Sequence, residues 1–310
     1  MRLETPRDPA LPSTDWCYYK LYVGSKHDAI DYLITDALDD ALDIVGDRPW
    51  FFLRYIDERG VHLRFRAKLG AAGRQDETAL YAALHNAITQ LAQAPQSTYA
   101  PLVSMAGNPP EPPRTPLPVI CERAEYEPEL DKYGGERGMP IAEALFHRSS
   151  ELAREALQLE REGRVNRKDL ALAVFVESMD VLLKDGEARP FLERYATFWL
   201  AGNPAIGAFK AAFAERAYEI LDAGEPIVPA RDTLDGNARA WIAAWRAALA
   251  DAQQGYGRHC PAWSPTLAER LAFHFSHLMN NRLGFNAIDE AYLASLLAKA
   301  YEAGYRHAVA

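Results

Sequence analysis

The segment VHLRFR, at residues 61–66, carries three basic side chains in alternation. Side chains of a β-strand alternate between the two faces of a sheet, so His62, Arg64 and Arg66 would share one face. No acidic residue stands between them to neutralise the row. Guanidinium groups bind carboxylates and phosphates through paired hydrogen bonds, so the pattern predicts an anion-binding site. The competing interpretation is the solvated face of a half-buried antiparallel sheet.

Two further segments gather polar residues. YEPELDKYGG (126–135) contains a proline and a glycine pair, which predict a constrained turn from which Glu129, Lys132 and Tyr133 project. In FHFSHLMNNRLG (273–284), one predicted helix carries polar residues beside apolar ones, namely Ser276, His277, Asn280, Asn281 and Arg282. The alternative for the first segment is a plain turn. In the second segment, His277 could be a packed core histidine, and Asn280 and Arg282 near a glycine could simply end the helix.

Motifs of several enzyme classes are absent from the sequence. It has no GxGxxG, GxxxxGK[ST], GxSxG or HExxH pattern. His274 and His277 are spaced to share a metal ion on one helix, but no cysteine or carboxylate is in register with them on that helix. We therefore expect neither a metal site nor a cofactor.

Composition excludes some partners. The 310 residues are 49% apolar and 25% charged, as in ordinary globular proteins, and 34 basic against 43 acidic residues give a net charge of −9. Such a chain is not expected to bind nucleic acid directly or to attach to an anionic membrane. A basic cluster within an acidic protein indicates a dedicated site, which we expect in a cavity between the predicted sheet and the helical half.

Cysteine usage and apolar patterning bear on the compartment. Cys17, Cys121 and Cys260 are scattered and odd in number, which favours reduced thiols. The N-terminal residues lack the apolar core of a signal peptide, and no apolar run approaches the roughly 18 residues of a membrane span. These observations predict a cytoplasmic protein.

The elements that would position these residues differ between the two halves. Aromatic and β-branched patches predict strands at 16–24, 50–57 and 61–69, with a hairpin turn at 58–60. Apolar residues at three- and four-residue spacing predict helices at 26–46 and 76–94. The fold class is therefore α+β, with an N-terminal, mainly antiparallel sheet and flanking helices, followed by a mostly helical C-terminal half.

The second half predicts seven helices, at 139–163, 167–184, 189–202, 205–224, 233–253, 264–282 and 289–307. Before them, six prolines within residues 107–118 predict an extended loop, either a surface connection or a stiff flap over a site. The predicted organisation is a tail at 1–15 and a single domain at 16–310. That domain comprises an α+β part at 16–135 and a helical part at 136–310.

Four motifs in order resemble one family. They are WCYYKLYVG, then WFFLRYID with HLRFR, then YEPELDKYGG with MPIAEALFHRSS, and finally HLMNNRLG. Together they resemble the C-terminal elimination domain of class I lantibiotic dehydratases, including stand-alone proteins of thiopeptide clusters. The resemblance covers nearly the whole chain.

The resemblance implies biosynthesis of a ribosomally made, post-translationally modified peptide (RiPP). A separate enzyme would use glutamyl-tRNA to esterify Ser or Thr of the precursor peptide. The elimination domain would then release glutamate, leaving dehydroalanine or dehydrobutyrine. Matched residue by residue, the family's catalytic positions fall on Arg64, Arg66, Lys132 and His277. The carboxylate of its YEPE element falls on Glu129.

The chemistry of elimination suits these residue types. Cations bind the glutamyl group and the developing negative charge, and the imidazole of histidine titrates near neutral pH, as a proton carrier should. His62, Glu129, Tyr133, Ser276, Asn281 and Arg282 are the residues expected to bind substrate. The sequence departs from the family pattern at Lys132, because the resemblance implies an arginine before Tyr-Gly-Gly. The ammonium group of lysine cannot form the paired hydrogen bonds of a planar guanidinium group.

Two other functions remain open. Thiopeptide pyridine synthases, a sister group, join two dehydroalanines in a formal [4+2] aza-cycloaddition and expel the leader peptide; the NNRLG and DEAYLASLL segments and Ser149–Ser150 fit that group too. A non-catalytic scaffold would instead bind the precursor peptide on a sheet edge. The presence of His62, Arg64, Arg66 and His277 slightly favours elimination, and retention of both arginines and the histidine argues against a scaffold.

Overall fold

The computed structural model of the chain describes residues 15–24, 26, 29–70, 74–91, 101–103, 119–184 and 186–305. The proline-rich loop predicted at 107–118 lies outside these residues, as does all of the predicted tail except Asp15. In the ranges given, no helix is long and apolar enough to cross a bilayer.

Strands near the N-terminus form one sheet. They are β1 (Trp16–Val23), β2 (Trp50–Asp57), β3 (Gly60–Lys68) and β4 (Val119–Ala124). Their spatial order is β2-β3-β1-β4, and every neighbouring pair is antiparallel. The predicted α+β class with an N-terminal antiparallel sheet is confirmed.

Ten α-helices accompany the sheet in the described ranges. They are α1 (Ile30–Tyr32), α2 (Asp39–Val45), α3 (Arg74–Gln90), α4 (Gly135–Arg161), α5 (Arg167–Leu182), α6 (Ala188–Leu200), α7 (Ile206–Asp222), α8 (Gly236–His259), α9 (Pro265–Leu283) and α10 (Ala287–Glu302). The seven helices predicted after residue 138 correspond to α4–α10. The mostly helical second half is therefore confirmed.

Helix α8 continues six residues beyond its predicted end. Gly255 and Gly257 argue against a helix because glycine has a low helix propensity. A Cβ atom at position 255 would lie 3.2 Å from Ile141 Cγ2 on α4, so the glycine permits a close helix–helix contact. Packing against α4 therefore outweighs the intrinsic preference.

The helix predicted at 26–46 is wrong as a continuous element. It begins at Ile30 and is interrupted by a π-helical turn at Leu33–Ala37. Arg154 of α4 donates from Nε to the carbonyl of Ile34 and from Nη2 to that of Thr35, each at 2.9 Å. A side chain from a distant helix thus satisfies carbonyl groups that the altered turn presents.

Strand β4 was not predicted, and the β2–β3 turn is shorter than predicted. Glu122 and Arg123 interrupt the apolar pattern of β4, so its sequence gives only a weak strand signal. In the hairpin, Asp57 pairs with Gly60, which leaves two residues in the turn.

The outer edge of β2 is covered by side chains from two helices. Backbone N–H groups at alternate positions 50, 52 and 54 donate to His147 Nδ1, Ser150 Oγ and Asn281 Oδ1, at 3.2, 3.2 and 2.9 Å. An edge strand normally presents these groups to solvent or to another strand. Here they attach the sheet to α4 and α9.

Candidate active site

A cavity of about 570 Å³ lies between one face of the sheet and helices α4 and α9. On this face, Arg66 of β3 lies directly opposite Tyr18 of β1 and Phe51 of β2. Arg64 of β3 lies opposite Lys20 of β1 and Leu53 of β2. The lining residues come from the strands, the segment after β4 and the two helices: Tyr18, Lys20, Phe51, Leu53, Arg64, Arg66, Ala124, Glu125, Tyr126, Glu127, Glu129, Tyr133, Met139, Phe146, Leu278 and Arg282. Arg64 and Arg66 thus lie where the net-charge argument predicted.

Arg66 is a buried cation with an aromatic surround. Its residue is 7% exposed, and its guanidinium carbon lies 4.1 Å from the Tyr18 ring centroid and 5.3 Å from that of Tyr126. Nε and Nη1 form no hydrogen bond with the described residues. Burial lowers the pKa of Arg66, which means that desolvation disfavours its charge. An anion with oxygens in the cavity would offset that cost.

Arg64 lies two residues away and is less deeply buried. Its guanidinium carbon is 3.3 Å from the centroid of the Tyr55 ring, which holds the group by a cation–π contact. Its Nε also lacks a hydrogen-bond partner among the described residues. Arg64 therefore contributes a second donor at a shallower level than Arg66.

Arg282 brings a third guanidinium from α9. It is 1% exposed, its Nε donates to Ser150 Oγ at 3.0 Å, and its Nη2 has no partner among the described residues. Burial lowers the pKa of Arg282 to about 9; Tyr133 opposes this effect and Arg66 reinforces it. The group is therefore still cationic at neutral pH.

The end of α9 is built to hold Arg282 in place. Ser264 caps the start of the helix with Pro265 in its first turn, and Gly284 ends it with φ +97°. Beyond the last turn, Arg54 Nε donates to the carbonyl of Arg282 at 3.0 Å. Arg167 Nη1 donates to the next carbonyl, that of residue 283, at 2.8 Å.

Asp31 holds these two capping arginines. Its carboxylate accepts from Arg54 Nη2 at 2.6 Å and from Arg167 Nη2 at 2.8 Å. Burial by itself raises the pKa of Asp31, but the two guanidinium groups outweigh burial and hold the pKa at about 2. The carboxylate is therefore ionised in the folded protein well below the usual pKa of an aspartate.

This depressed pKa predicts acid sensitivity. Because the folded-state pKa of Asp31 lies below the unfolded value of about 3.9, its contribution of about 2 kcal/mol is present above pH 4 and lost as pH falls towards 2. In urea unfolding from pH 6 to 2, Asp31→Asn should be less stable at pH 6 and should lose less stability across the acid range. Asp40→Asn, at an exposed position, is the control; equal pH profiles for Asp31→Asn and wild type would contradict the assignment.

No carboxylate lies within 4 Å of Arg64, Arg66 or Arg282 in the described part of the chain. Glutamates do line the cavity, at positions 125, 127 and 129, and all three residues are exposed. Glu129 forms an ion pair with Lys132, which is itself exposed and is not among the lining residues. The deep part of the cavity is therefore cationic and its rim is acidic.

Tyr133 does not project from the turn as predicted. It is 3% exposed and stacks on Phe275, with ring centroids 6.1 Å apart. Gly134 makes this possible, because it has φ +81° and a Cβ there would approach Cys260 Sγ to 2.7 Å. Burial raises the pKa of Tyr133, so its hydroxyl is protonated where it lines the cavity.

His62 shares the strand face but not the cavity. It is fully buried between Tyr22 and Tyr55, with ring centroids 4.4 and 5.4 Å away. Its Nδ1 lies 3.3 Å from the carbonyl oxygen of Gly60. Burial lowers the pKa of His62, so the ring is neutral at pH 7. The predicted row of three therefore supplies two cations to the cavity.

His277 belongs to a second cluster of polar groups. Its Nδ1 is 3.0 Å from Glu290 Oε1, and its ring lies 4.5 Å from that of Trp199. Glu290 is fully buried and also accepts from the Tyr195 hydroxyl. The cavity lining does not include His277, although it does include the adjacent Leu278. Glu290 was not predicted as a site residue, because the sequence shows it only as an acid at a helix start and as part of the DEAYLASLL segment.

Ser276 and Asn281 also lie apart from the cavity lining. Ser276 is fully buried, and its hydroxyl forms no hydrogen bond with the described residues. Asn281 binds the β2 backbone at one residue, since Oδ1 accepts from the N–H of Arg54 and Nδ2 donates to its carbonyl, both at 2.9 Å. Of the ten residues predicted for the site, the cavity brings together Arg64, Arg66, Glu129, Tyr133 and Arg282.

The contacts of Asn281 predict a structural effect. Asn281→Ala removes the two hydrogen bonds that the side chain makes to the N–H and C=O of Arg54, and losing the partner of a buried polar group costs about 1–3 kcal/mol. Denaturant unfolding should show a loss of stability in this range. Unchanged stability together with weaker substrate binding would instead favour the substrate-binding role expected from the sequence.

Comparison with known proteins decides the family. The model of the lantibiotic biosynthesis dehydratase C-terminal region matches residues 16–301. The chain belongs to this family. The resemblance inferred from the four motifs is therefore confirmed. Among curated proteins, none matches the chain.

Solved structures share the fold of this family member. TbtD, a pyridine synthase from thiomuracin biosynthesis, superposes with a TM-score of 0.64 at 17% identity over 93% of this chain and 98% of its own. The tRNA-dependent lantibiotic dehydratase MibB from Microbispora sp. 107891 gives 0.58 at 20% identity, over 94% of this chain and 28% of its own. TsrL superposes with a TM-score of 0.59 at 17% identity, over 93% of this chain and 94% of its own.

The family and the two neighbours with stated activities are enzymes that make modified peptides. The family assignment thus supports an enzymatic role in RiPP biosynthesis. Lys132 pairs with Glu129 at the surface, whereas the third guanidinium group of the cavity comes from Arg282.

Proposed function

We propose that the protein releases glutamate from glutamylated Ser or Thr of a precursor peptide, leaving dehydroalanine or dehydrobutyrine. The observation that carries the proposal is the set of three guanidinium groups that line one cavity without a carboxylate partner in the described residues. Four buried nitrogens on Arg64, Arg66 and Arg282 have no hydrogen-bond partner there. A glutamyl adduct offers carboxyl oxygens that would satisfy them.

The reaction requires a proton acceptor and stabilisation of a leaving carboxylate. A base removes the α-proton of the modified residue, the electrons form the α,β double bond, and the bond from Cβ to the ester oxygen breaks. Glutamate leaves as a carboxylate. Guanidinium groups in a partly desolvated cavity stabilise the enolate-like charge and then the charge on the leaving group.

An aminoacyl-tRNA carries its amino acid through the α-carboxyl, so the ester leaves the side-chain carboxylate of glutamate free. The buried Arg66 and Arg282 would bind this free carboxylate. The less buried Arg64 would then lie nearer the ester, where the leaving charge develops. This order follows the depth of the three groups in the cavity.

His277 is the proposed proton carrier, as the family match implies. Glu290 binds its Nδ1, which leaves Nε2 for proton transfer. Leu278, the next residue on α9, lines the cavity. A peptide that enters along α9 would therefore pass His277. Lys132 is the remaining catalytic candidate, and its position beside Glu129 at the rim favours contact with the peptide.

Pyridine synthesis is the second candidate. The pyridine synthase TbtD shares the fold over 98% of its own length and 93% of this chain. The aromatic wall formed by Tyr18, Phe51, Tyr126, Tyr133 and Phe146 would accommodate a flat heterocycle. This reaction gives no role to three arginines that have no carboxylate partner among the described residues, which is why elimination is preferred.

The scaffold alternative meets a structural obstacle. Binding of a precursor peptide by strand addition needs a free sheet edge. On β2, positions 50, 52 and 54 already donate their N–H groups to side chains of α4 and α9. This part of the sheet edge is therefore closed to an added strand.

The deciding experiment offers the purified protein two peptides. One carries a glutamyl ester on serine, and the other is a leader-linked peptide with two dehydroalanines. We expect the first peptide to give free glutamate and a dehydroalanine peptide, and the second peptide to remain unchanged. Both reactions can be monitored by mass spectrometry. Cyclisation of the second with loss of its leader, and no reaction of the first, would establish pyridine synthesis instead. The glutamylating enzyme is expected to be a separate protein.

A further inference from the structure

The acidic rim of the cavity has no role in the elimination chemistry described above. Glu125 and Glu127 line the same cavity as the three arginines, from the extended segment that follows β4. Neither forms an ion pair or a side-chain hydrogen bond with the described residues, whereas Glu129 is paired with Lys132. Two exposed carboxylates thus stand above a cationic floor.

The floor of the cavity carries buried donors that have no partner among the described residues. Arg282 is 1% exposed and Arg66 is 7% exposed, yet Nη2 of the first and Nε and Nη1 of the second have no partner in the described residues. Buried polar groups are normally hydrogen-bonded, so these atoms indicate that an anion belongs at the floor. The carboxylates at the rim would repel a ligand that carried only negative charge.

We propose that Glu125 and Glu127 bind the α-ammonium group of the glutamyl adduct and so select an aminoacyl over a simple acyl ester. The proposal rests on the function proposed above. With the side-chain carboxylate at the floor, two methylene groups separate it from the α-carbon. The peptide lies outside the cavity, so the ammonium group is held between floor and peptide, at the level of the rim.

This arrangement makes the cavity complementary to both charges of the adduct. The floor binds an anion and the rim binds a cation, so a glutamyl ester satisfies both. A glutaryl ester, which has the same carbon skeleton without the ammonium group, satisfies only the floor. The ammonium group also makes glutamate a better leaving group than glutarate, because a nearby positive charge stabilises the carboxylate. This contribution is the same in wild type and in rim variants, so the contribution of the rim is the part of the preference that rim variants lose.

The test compares two peptides that carry either a glutamyl or a glutaryl ester on the same serine. Wild type should prefer the glutamyl peptide in kcat/KM by about tenfold or more, where tenfold corresponds to about 1.4 kcal/mol. Glu125→Gln with Glu127→Gln should lower that ratio by about tenfold, by slowing the glutamyl reaction alone. The control is Glu136→Gln, which removes the same charge at an exposed position outside the cavity.

An unchanged ratio in the double variant, an equal loss on both peptides, or no preference in wild type would overturn the proposal. Titration calorimetry with free glutamate and glutarate provides a readout that does not depend on turnover. If wild type releases neither acid, the proposed function fails. A calorimetric preference for glutamate that the double variant loses would still support the ammonium site, and its absence would refute it.

Discussion

Replacing Arg66 with alanine is expected to stop glutamate release and cause glutamylated peptide to accumulate. Removing one partner of a charge pair in a desolvated site commonly costs about 2–5 kcal/mol, or roughly 30- to several-thousand-fold in rate. Arg66 meets these conditions because it is 7% exposed and its Nε and Nη1 are unpaired among the described residues. Product formation can be followed by mass spectrometry of the peptide.

Arg123→Ala is the matched control for this experiment. Arg123 lies on the neighbouring part of the same sheet, pairs with Glu77 and is absent from the cavity lining. It should retain near wild-type turnover. Thermal melts of both variants separate loss of activity from loss of fold. Normal turnover by Arg64→Ala and by Arg66→Ala, with both variants folded, would eliminate the anion-binding role.

Changing His277 to asparagine is expected to reduce turnover by about 10²–10⁴-fold, the usual loss of a general acid or base. Asparagine can still donate to Glu290 from the position of Nδ1, but it has no titrating nitrogen in place of Nε2. The melting temperature should therefore change little. This substitution separates catalysis from packing better than one that removes both nitrogens.

His277→Phe provides the contrast. It leaves the fully buried Glu290 without its imidazole partner, so stability should fall, within the roughly 0.5–3 kcal/mol typical of point mutations. Should the asparagine variant turn over normally while only the phenylalanine variant is unstable, His277 is a packed core histidine. The base would then be sought among Lys132, Tyr133 and Glu129.

Alternation along β3 was predictable because period 2 is a property of the extended backbone. The bounds of β2 match the prediction, and Arg64 and Arg66 do share a face. The burial of His62 was not predictable, because it depends on Tyr22 and Tyr55 from the two flanking strands. Register between strands is a tertiary property that one strand does not encode.

The position of Arg282 was also not predictable from its local sequence. Arg282 was expected to bind substrate only through the resemblance, since its local sequence equally predicts helix C-terminal chemistry. Its place in the cavity depends on Ser150 and on Arg54, which are 132 and 228 positions away. Likewise, the pairing of His277 with Glu290 joins two helices whose packing the sequence pattern does not specify.

The attachment of Arg54 to the carbonyl of Arg282 has a kinetic consequence. Contacts between residues 228 positions apart form late, because closing a long loop costs entropy before the contact is made. The proposed anion site combines Arg64 and Arg66 of β3 with Arg282 of α9, so it forms only after the two ends of this span have met. During refolding, recovery of helical signal should therefore precede recovery of turnover, and a newly made chain cannot act on a peptide until α9 has docked.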